Sequence, residues 1–259
     1  MWPRWIDGWR ITAPAIWGKL PDHADFVRSG VRHGELEAWA GWLDEQSHSA
    51  GVDASAKAVA LPAAFVLPPG TLAFARRRFV LGVIAPSIDR VGRHHPLVVY
   101  QKAQPRWVLR HFEAQLRQPC DWQFWLARAV ARHTQVEGRA NLAAMEGTVK
   151  ALWRAQAGVL GARRSDDAEA EQVQQARQAR QAQQVQQAHR AVCLLDHWAG
   201  PSLQDDLGAR LHGVRYLPWS DWPQRLSDAR AESAFWQQDA QGRFVGAANC
   251  LQKLWGGMP

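Results

Sequence analysis

Two short stretches concentrate the side chains that could do chemistry. The first, Gly18-Lys19-Leu20-Pro21-Asp22-His23-Ala24-Asp25-Phe26-Val27-Arg28, sets an amine, two carboxylates, an imidazole and a guanidinium around a proline. The second, Pro86-Ser87-Ile88-Asp89-Arg90-Val91-Gly92-Arg93-His94-His95-Pro96, holds a hydroxyl, a carboxylate, two guanidiniums and a glycine between two apolar runs. A hydrolase-like reading would make Ser87 a nucleophile. It would then need a base within hydrogen-bond reach, and Asp89 is a poor base at neutral pH. The structural reading asks less. Asp89 bonds its own turn or pairs with Arg90 or Arg93, Gly92 supplies a backbone angle other residues resist, and Ile88 and Val91 pin the loop to the core. In the first stretch Asp25 caps a following turn, Phe26 anchors in the core, and Lys19 and Arg28 face a partner.

No established catalytic spacing accompanies these stretches. The chain has no G-x-S-x-G elbow, no H-E-x-x-H, no Walker A loop and no G-x-G-x-x-G. Lys19 follows a glycine, but without the glycine-rich loop that cradles phosphate. His94 and His95 are adjacent, so on an extended chain they point to opposite faces and do not share a metal. The three cysteines, Cys120, Cys193 and Cys250, are far apart with no C-x-x-C, which argues against a zinc site or a disulfide framework and suits a reducing compartment. The expectation is therefore no catalytic, cofactor-binding or metal-binding set. Lys19, Asp25, Arg28, Ser87, Asp89, Arg90 and Arg93 are left as partner-binding candidates, with exposed tryptophans as anchors.

The elements around the two stretches follow from hydrophobic period. Ala13 to Trp17 reads as a strand that Gly18-Lys19-Leu20-Pro21 ends. Gly34 to Ser47 reads as a helix, with Leu36, Trp39, Ala40 and Leu43 on one face. Ala64 to Leu67, Phe79 to Ala85 and Leu97 to Lys102 are continuous apolar runs, the pattern of strands buried on both faces. The loop from Pro86 to Pro96 has no room for a crossover helix, so its flanking strands are antiparallel neighbours. Helices are expected over Trp107 to Arg117, from Trp122 to His133 behind a capping Asp121, and over Glu137 to Gly158 with Leu142, Met145, Val149 and Leu152 inward.

Residues 165–190 are rich in glutamine, alanine and arginine, with Val173 and Val185 as the only large apolar residues. Such a segment has nothing to bury and reads as a solvated insert. Two valines are too few for a coiled-coil seam. Beyond it, Ala191 to Leu195 and Gly213 to Pro218 read as strands and Ser202 to Leu211 as a helix. Ala234 to Gln238 and Arg243 to Ala248 form a hairpin around Asp239-Ala240-Gln241-Gly242, and Asn249 caps a last helix through Leu254. The sum is an α/β fold: a mixed, largely antiparallel sheet with helices on both faces. Residues 1–12 read as a loose arm and 13–259 as one domain with the insert.

Bulk composition narrows the function classes. The 259 residues are 47% hydrophobic and 21% charged, an ordinary globular balance. The net charge of +7 is scattered, and no helix-turn-helix, zinc-finger or basic-zipper pattern goes with it, so nucleic acid is not the expected partner. Asp7 and Arg10 interrupt any signal-peptide core, and no stretch reaches the ~18 apolar residues of a membrane span. A cytoplasmic protein is expected. Its 15 tryptophans against two tyrosines serve packing or recognition.

Taken in order, Gly18-Lys19-Leu20-Pro21, Asp25-Phe26-Val27, Trp42-Leu43, Pro86-Ser87-Ile88-Asp89-Arg90-Val91-Gly92-Arg93 and Pro96-Leu97 resemble the TagF (ImpM) family of type VI secretion-associated proteins. Ser233-Ala234-Phe235-Trp236 resembles that family's late serine and paired aromatics. Ala24 stands where a glycine is usual, His94-His95 where aromatics are common, and the glutamine-rich insert is no part of the pattern. The resemblance implies a three-layer αβα fold in the bacterial cytoplasm. It also implies an accessory regulator that holds secretion in check after translation, with the system's forkhead-associated scaffold protein as partner.

Overall fold

The computed structural model describes residues 10–48, 61–109, 122–135, 141–165, 232–238 and 244–255. In chain order these form β1 (Ala15–Gly18), β2 (Val27–Ser29), α1 (His33–His48), β3 (Ala63–Leu67), a 3-10 turn at Ala73–Ala75, β4 (Phe79–Ala85) and β5 (Leu97–Ala103). α2 (Trp122–Gln135), α3 (Leu142–Ser165), β6 (Ala234–Gln238), β7 (Phe244–Ala248) and α4 (Leu251–Trp255) follow. The strands make one seven-stranded sheet in the order β2-β1-β5-β4-β3-β6-β7.

The α/β class is as expected, but the sheet is not mixed: every described pair is antiparallel. Connection length accounts for the pairs that are consecutive in the chain. β1 to β2, β4 to β5 and β6 to β7 are joined by short returns, and parallel neighbours would need crossovers of a dozen or more residues.

Strand period then sorts the core onto two faces. Phe79, Leu81, Val83 and Ala85 of β4 join Leu97, Val99 and Ala103 of β5 against Trp122, Leu126, Val130, Met145 and Val149 of α2 and α3. Val80, Ile84, Val98 and Tyr100 turn the other way, onto Trp39, Trp42 and Leu43 of α1 and Leu251 and Leu254 of α4. Both faces are therefore covered, which is why the central strands are apolar without alternation. Full burial of each such side chain stabilises by ~1.5–3 kcal/mol. Gln123 of α2 stitches helix to sheet, its amide donating to the carbonyls of Phe65 at 3.0 Å and Gly82 at 3.2 Å.

Several expectations shift. Residues 10–12 are not a loose arm: Ile11 is buried and bridges Ala103, and Thr12 N–H donates to the Lys102 carbonyl at 2.9 Å. β2 lies between the strand expected to end at Trp17 and the helix expected to begin at Gly34, where no element was read, being too short for a readable period. α3 is described from Leu142, not Glu137, and Asn141 Oδ1 accepts the Ala144 N–H at 2.7 Å as its cap. Residues 105–109 are helical. The remainder of the Trp107–Arg117 helix, the insert beyond Ser165 and the elements expected between residues 191 and 218 lie outside the described residues. No described helix is long and apolar enough to cross a membrane.

Candidate functional site

The two polar stretches meet at one end of the sheet. β1 stops at Gly18, whose φ of +135° puts it in the region that favours glycine. A Cβ there would lie 2.2 Å from the Pro96 carbonyl oxygen, so β1 and the start of β5 approach as closely as they do only because the residue is glycine. The next residue, Lys19, is thereby turned inward and its side chain is only 6% exposed.

Its partner is Asp89, whose side chain is wholly buried. Lys19 Nζ donates to Asp89 Oδ2 at 2.6 Å, and Arg93 Nε donates to the same oxygen at 2.7 Å. Asp89 Oδ1 accepts the Val91 and Arg93 N–H groups at 3.0 and 2.8 Å. Four donors thus fill the carboxylate's acceptor sites. Burial alone would raise the Asp89 pKa. The bonds from Lys19, Arg93 and Val91 outweigh it and hold the carboxyl well below its ordinary range.

The loop closes on the same residue. Gly92 N–H donates to the Asp89 carbonyl at 3.0 Å, with Gly92 at a φ of +88°, and Asp89 N–H donates to the Arg93 carbonyl at 3.1 Å. Arg90 N–H reaches across to the His23 carbonyl at 3.0 Å, and Arg93 Nη2 donates to the Ala24 carbonyl and stands 3.8 Å from Asp25. Ser87 donates its hydroxyl proton to the Lys19 carbonyl at 2.7 Å, while its own carbonyl accepts the His95 N–H at 3.0 Å. In this arrangement the Ser87 proton goes to a main-chain carbonyl and not to a base.

An aromatic shelf lies over the ion pair. Phe26 stacks on Trp17 with centroids 5.7 Å apart, and His95 meets both rings edge-on at 4.6 and 5.0 Å. Lys19 Nζ is 5.2 Å from the Phe26 centroid. His95 Nδ1 lies 2.7 Å from the Pro96 carbonyl, which can only accept, so Nδ1 carries the proton. Burial pushes the His95 pKa down against that hydrogen bond, favouring the neutral ring.

Of the residues singled out from the sequence, Lys19, Ser87, Asp89 and Arg93 come together here, and Asp25 joins through Arg93. Arg28 sits on β2 opposite Trp17, and Arg90 is exposed on the loop. Three readings are corrected. Phe26 is not a core anchor but 50% exposed, since it precedes the strand at the edge of the sheet, beyond which no described strand lies. Val91 does not pin the loop: it is 61% exposed, and the Asp89 carboxylate holds the loop instead. No described tryptophan is exposed, because Trp17, Trp39, Trp42, Trp122, Trp153 and Trp236 are in the core and the others are half-buried. The shelf partners Trp17 and His95 were missed. The one sequence signal for them was an aromatic strand end facing a histidine pair. No group of three or more His, Cys, Asp or Glu among the described residues is placed to hold a metal ion.

Comparison with known proteins bears on this end of the molecule. The model of a family described as the TagF N-terminal domain, type VI secretion system-associated, matches residues 15–152 and so takes in both stretches. No curated protein matches the chain. Among solved structures, the crystal structure of PA0076 from Pseudomonas aeruginosa PAO1 is similar at 26% identity with a TM-score of 0.40, over 52% of this chain and 60% of that one. The likeness therefore spans less than two thirds of that protein.

Proposed function

Because the chain belongs to the TagF family of type VI secretion system-associated proteins, we propose that it is an accessory regulator of such a system that acts by binding. The partner is the system's forkhead-associated scaffold protein, the site of action is the bacterial cytoplasm, and the direction is repression after translation. One observation carries this reading. Four polar groups of the two motif stretches are spent on each other: Lys19, Asp89, Arg93 and Ser87 bond internally and are buried or braced. Side chains so occupied shape a rigid end of the molecule and leave Phe26, Arg28, Arg90 and Val91 outward, a recognition surface more than a reaction centre. The hydrolase-like alternative on Ser87 and Asp89 finds less support, since the hydroxyl donates to a main-chain carbonyl and the carboxylate already accepts four bonds.

The test is co-purification. The tagged chain is expected to retain the forkhead-associated protein of its own secretion system, and its overproduction to lower secretion. Absence of that protein from the bound fraction, together with unchanged secretion, removes the reading.

A further inference from the structure

The sheet ends on one side at β2, three residues long, and no described strand pairs with its outer edge. Backbone groups on that side point away from β1 and form a template for another chain. At the same end of the sheet as the start of β2 are Phe26 and Val91, the two large apolar side chains exposed among the described residues. Phe26 immediately precedes β2. The loop carrying Val91 is tied to the same segment through Arg90 to the His23 carbonyl and Arg93 to the Ala24 carbonyl. The Phe26 ring is already held by Trp17, His95 and the Lys19 ammonium, so little motion is lost when a partner covers it.

Charge narrows the occupant. Arg28, Arg32 and Arg90 are exposed and make no ion pair among the described residues. Of the acids near this edge, Asp25 stands against Arg93 and Glu146 of α3, bonded to Ser29 of β2, is paired with Lys150, which leaves Asp22 against three guanidiniums. A positive excess around an apolar pair selects an acidic segment and repels a basic one.

We propose that the β2 edge is a docking edge for an extended, acidic segment of the partner, which adds beside β2 as a further strand. Phe26 and Val91 take its apolar side chain, and Arg28 and Arg90 take its carboxylates. Main-chain bonds supply affinity in this mode and the flanking side chains supply specificity. The proposal rests on the binding reading above and adds the face and the chemistry of the segment that meets it.

The experiment titrates the purified forkhead-associated protein of the same secretion system into four forms of the chain: wild type, Phe26→Ala, the double variant Arg28→Glu with Arg90→Glu, and Arg77→Glu. Arg77 is an exposed control just before β4, at the end of that strand opposite the Pro86–Pro96 loop. The three substituted arginines are exposed, so their melting curves are expected to match wild type, and Phe26→Ala, which gives up its ring contacts with Trp17 and His95, is expected to melt slightly below it and stay folded. Wild type and Arg77→Glu are expected to bind alike, the other two at least tenfold more weakly, and the amides of residues 27–29 to gain hydrogen-exchange protection in the complex. Wild-type binding with unchanged variants and an unprotected β2 overturns the docking edge and leaves the binding reading standing. No wild-type binding overturns both. Self-association of the wild type that Phe26→Ala abolishes, with binding to the scaffold protein unaffected, gives the edge to a second copy and also overturns the proposal.

Discussion

Lys19 Nζ and the Asp89 carboxylate lie 2.6 Å apart although the residues are 70 positions apart in the chain. Neither charge is solvated: the Lys19 side chain is 6% exposed and that of Asp89 not at all. Removing one partner of such a pair leaves the other buried and uncompensated. Asp89→Asn is therefore expected to lower Tm by about 5 °C or more for a chain of this size. Asp25→Asn, on a side chain 97% exposed, is expected to leave Tm unchanged. Thermal melts followed by circular dichroism decide; equal Tm values for Asp89→Asn and wild type would mean the carboxylate does not hold the loop.

The same carboxyl sets an acid limit. Its folded-state pKa lies below the ordinary value of 3.8, so in acid the unfolded state binds the proton more readily than the folded one. The stability it contributes is complete above that ordinary value and is lost as pH falls toward the depressed folded one. Glu35 acts in the same direction: burial raises its pKa, but the bonds from Lys102 and Tyr100 outweigh that and lower it. Denaturant titrations of wild type and Asp89→Asn are expected to differ most at about pH 7 and to draw together only as pH falls below 3.8 toward the depressed folded-state value. A gap that widens in acid contradicts the assignment.

Glycines at two sites should respond with opposite signs. At Gly18 a methyl meets the Pro96 carbonyl at 2.2 Å and the backbone is left-handed, so Gly18→Ala is expected to destabilise by about 1–3 kcal/mol. At Gly41, within α1, an added Cβ meets nothing within 4 Å, so Gly41→Ala is expected to stabilise by about 0.5–1 kcal/mol. Urea midpoints of the two variants against wild type check both signs at once.

Ser87 separates the binding reading from the hydrolytic one. Its buried hydroxyl makes a single hydrogen bond to the Lys19 carbonyl, so Ser87→Ala is expected to cost about 1 kcal/mol of stability. In a broad ester, phosphoester and peptide hydrolysis screen the variant is expected to match wild type. A substrate hydrolysed by wild type and untouched by a fully folded Ser87→Ala would establish the serine as a nucleophile.

The central strands and α1 could be read from the chain alone because burial on both faces writes itself as unbroken apolar runs, as in Phe79–Ala85, and as an apolar stripe on α1. The inner half of the candidate site was readable for the same reason of locality. Asp89 bonds residues only two and four positions ahead, and Gly92 announces the backbone angle of that turn. What no local pattern contains is the pairing of Lys19 with Asp89, or the donation of the Ser87 proton to the Lys19 carbonyl. Both arise because β1 and β5 become neighbours in the sheet. Likewise, whether an aromatic residue is core or surface depends on what lies over it. Phe26 has the residue type of an anchor, but its position beside an edge strand leaves half of it in solvent, while Trp39 between α1 and the sheet has none. Residue type and period settle which elements form. Which charges are buried together, and which rings stay wet, is decided only when distant strands pack, because desolvation and ion pairing depend on distances that exist only in the folded chain.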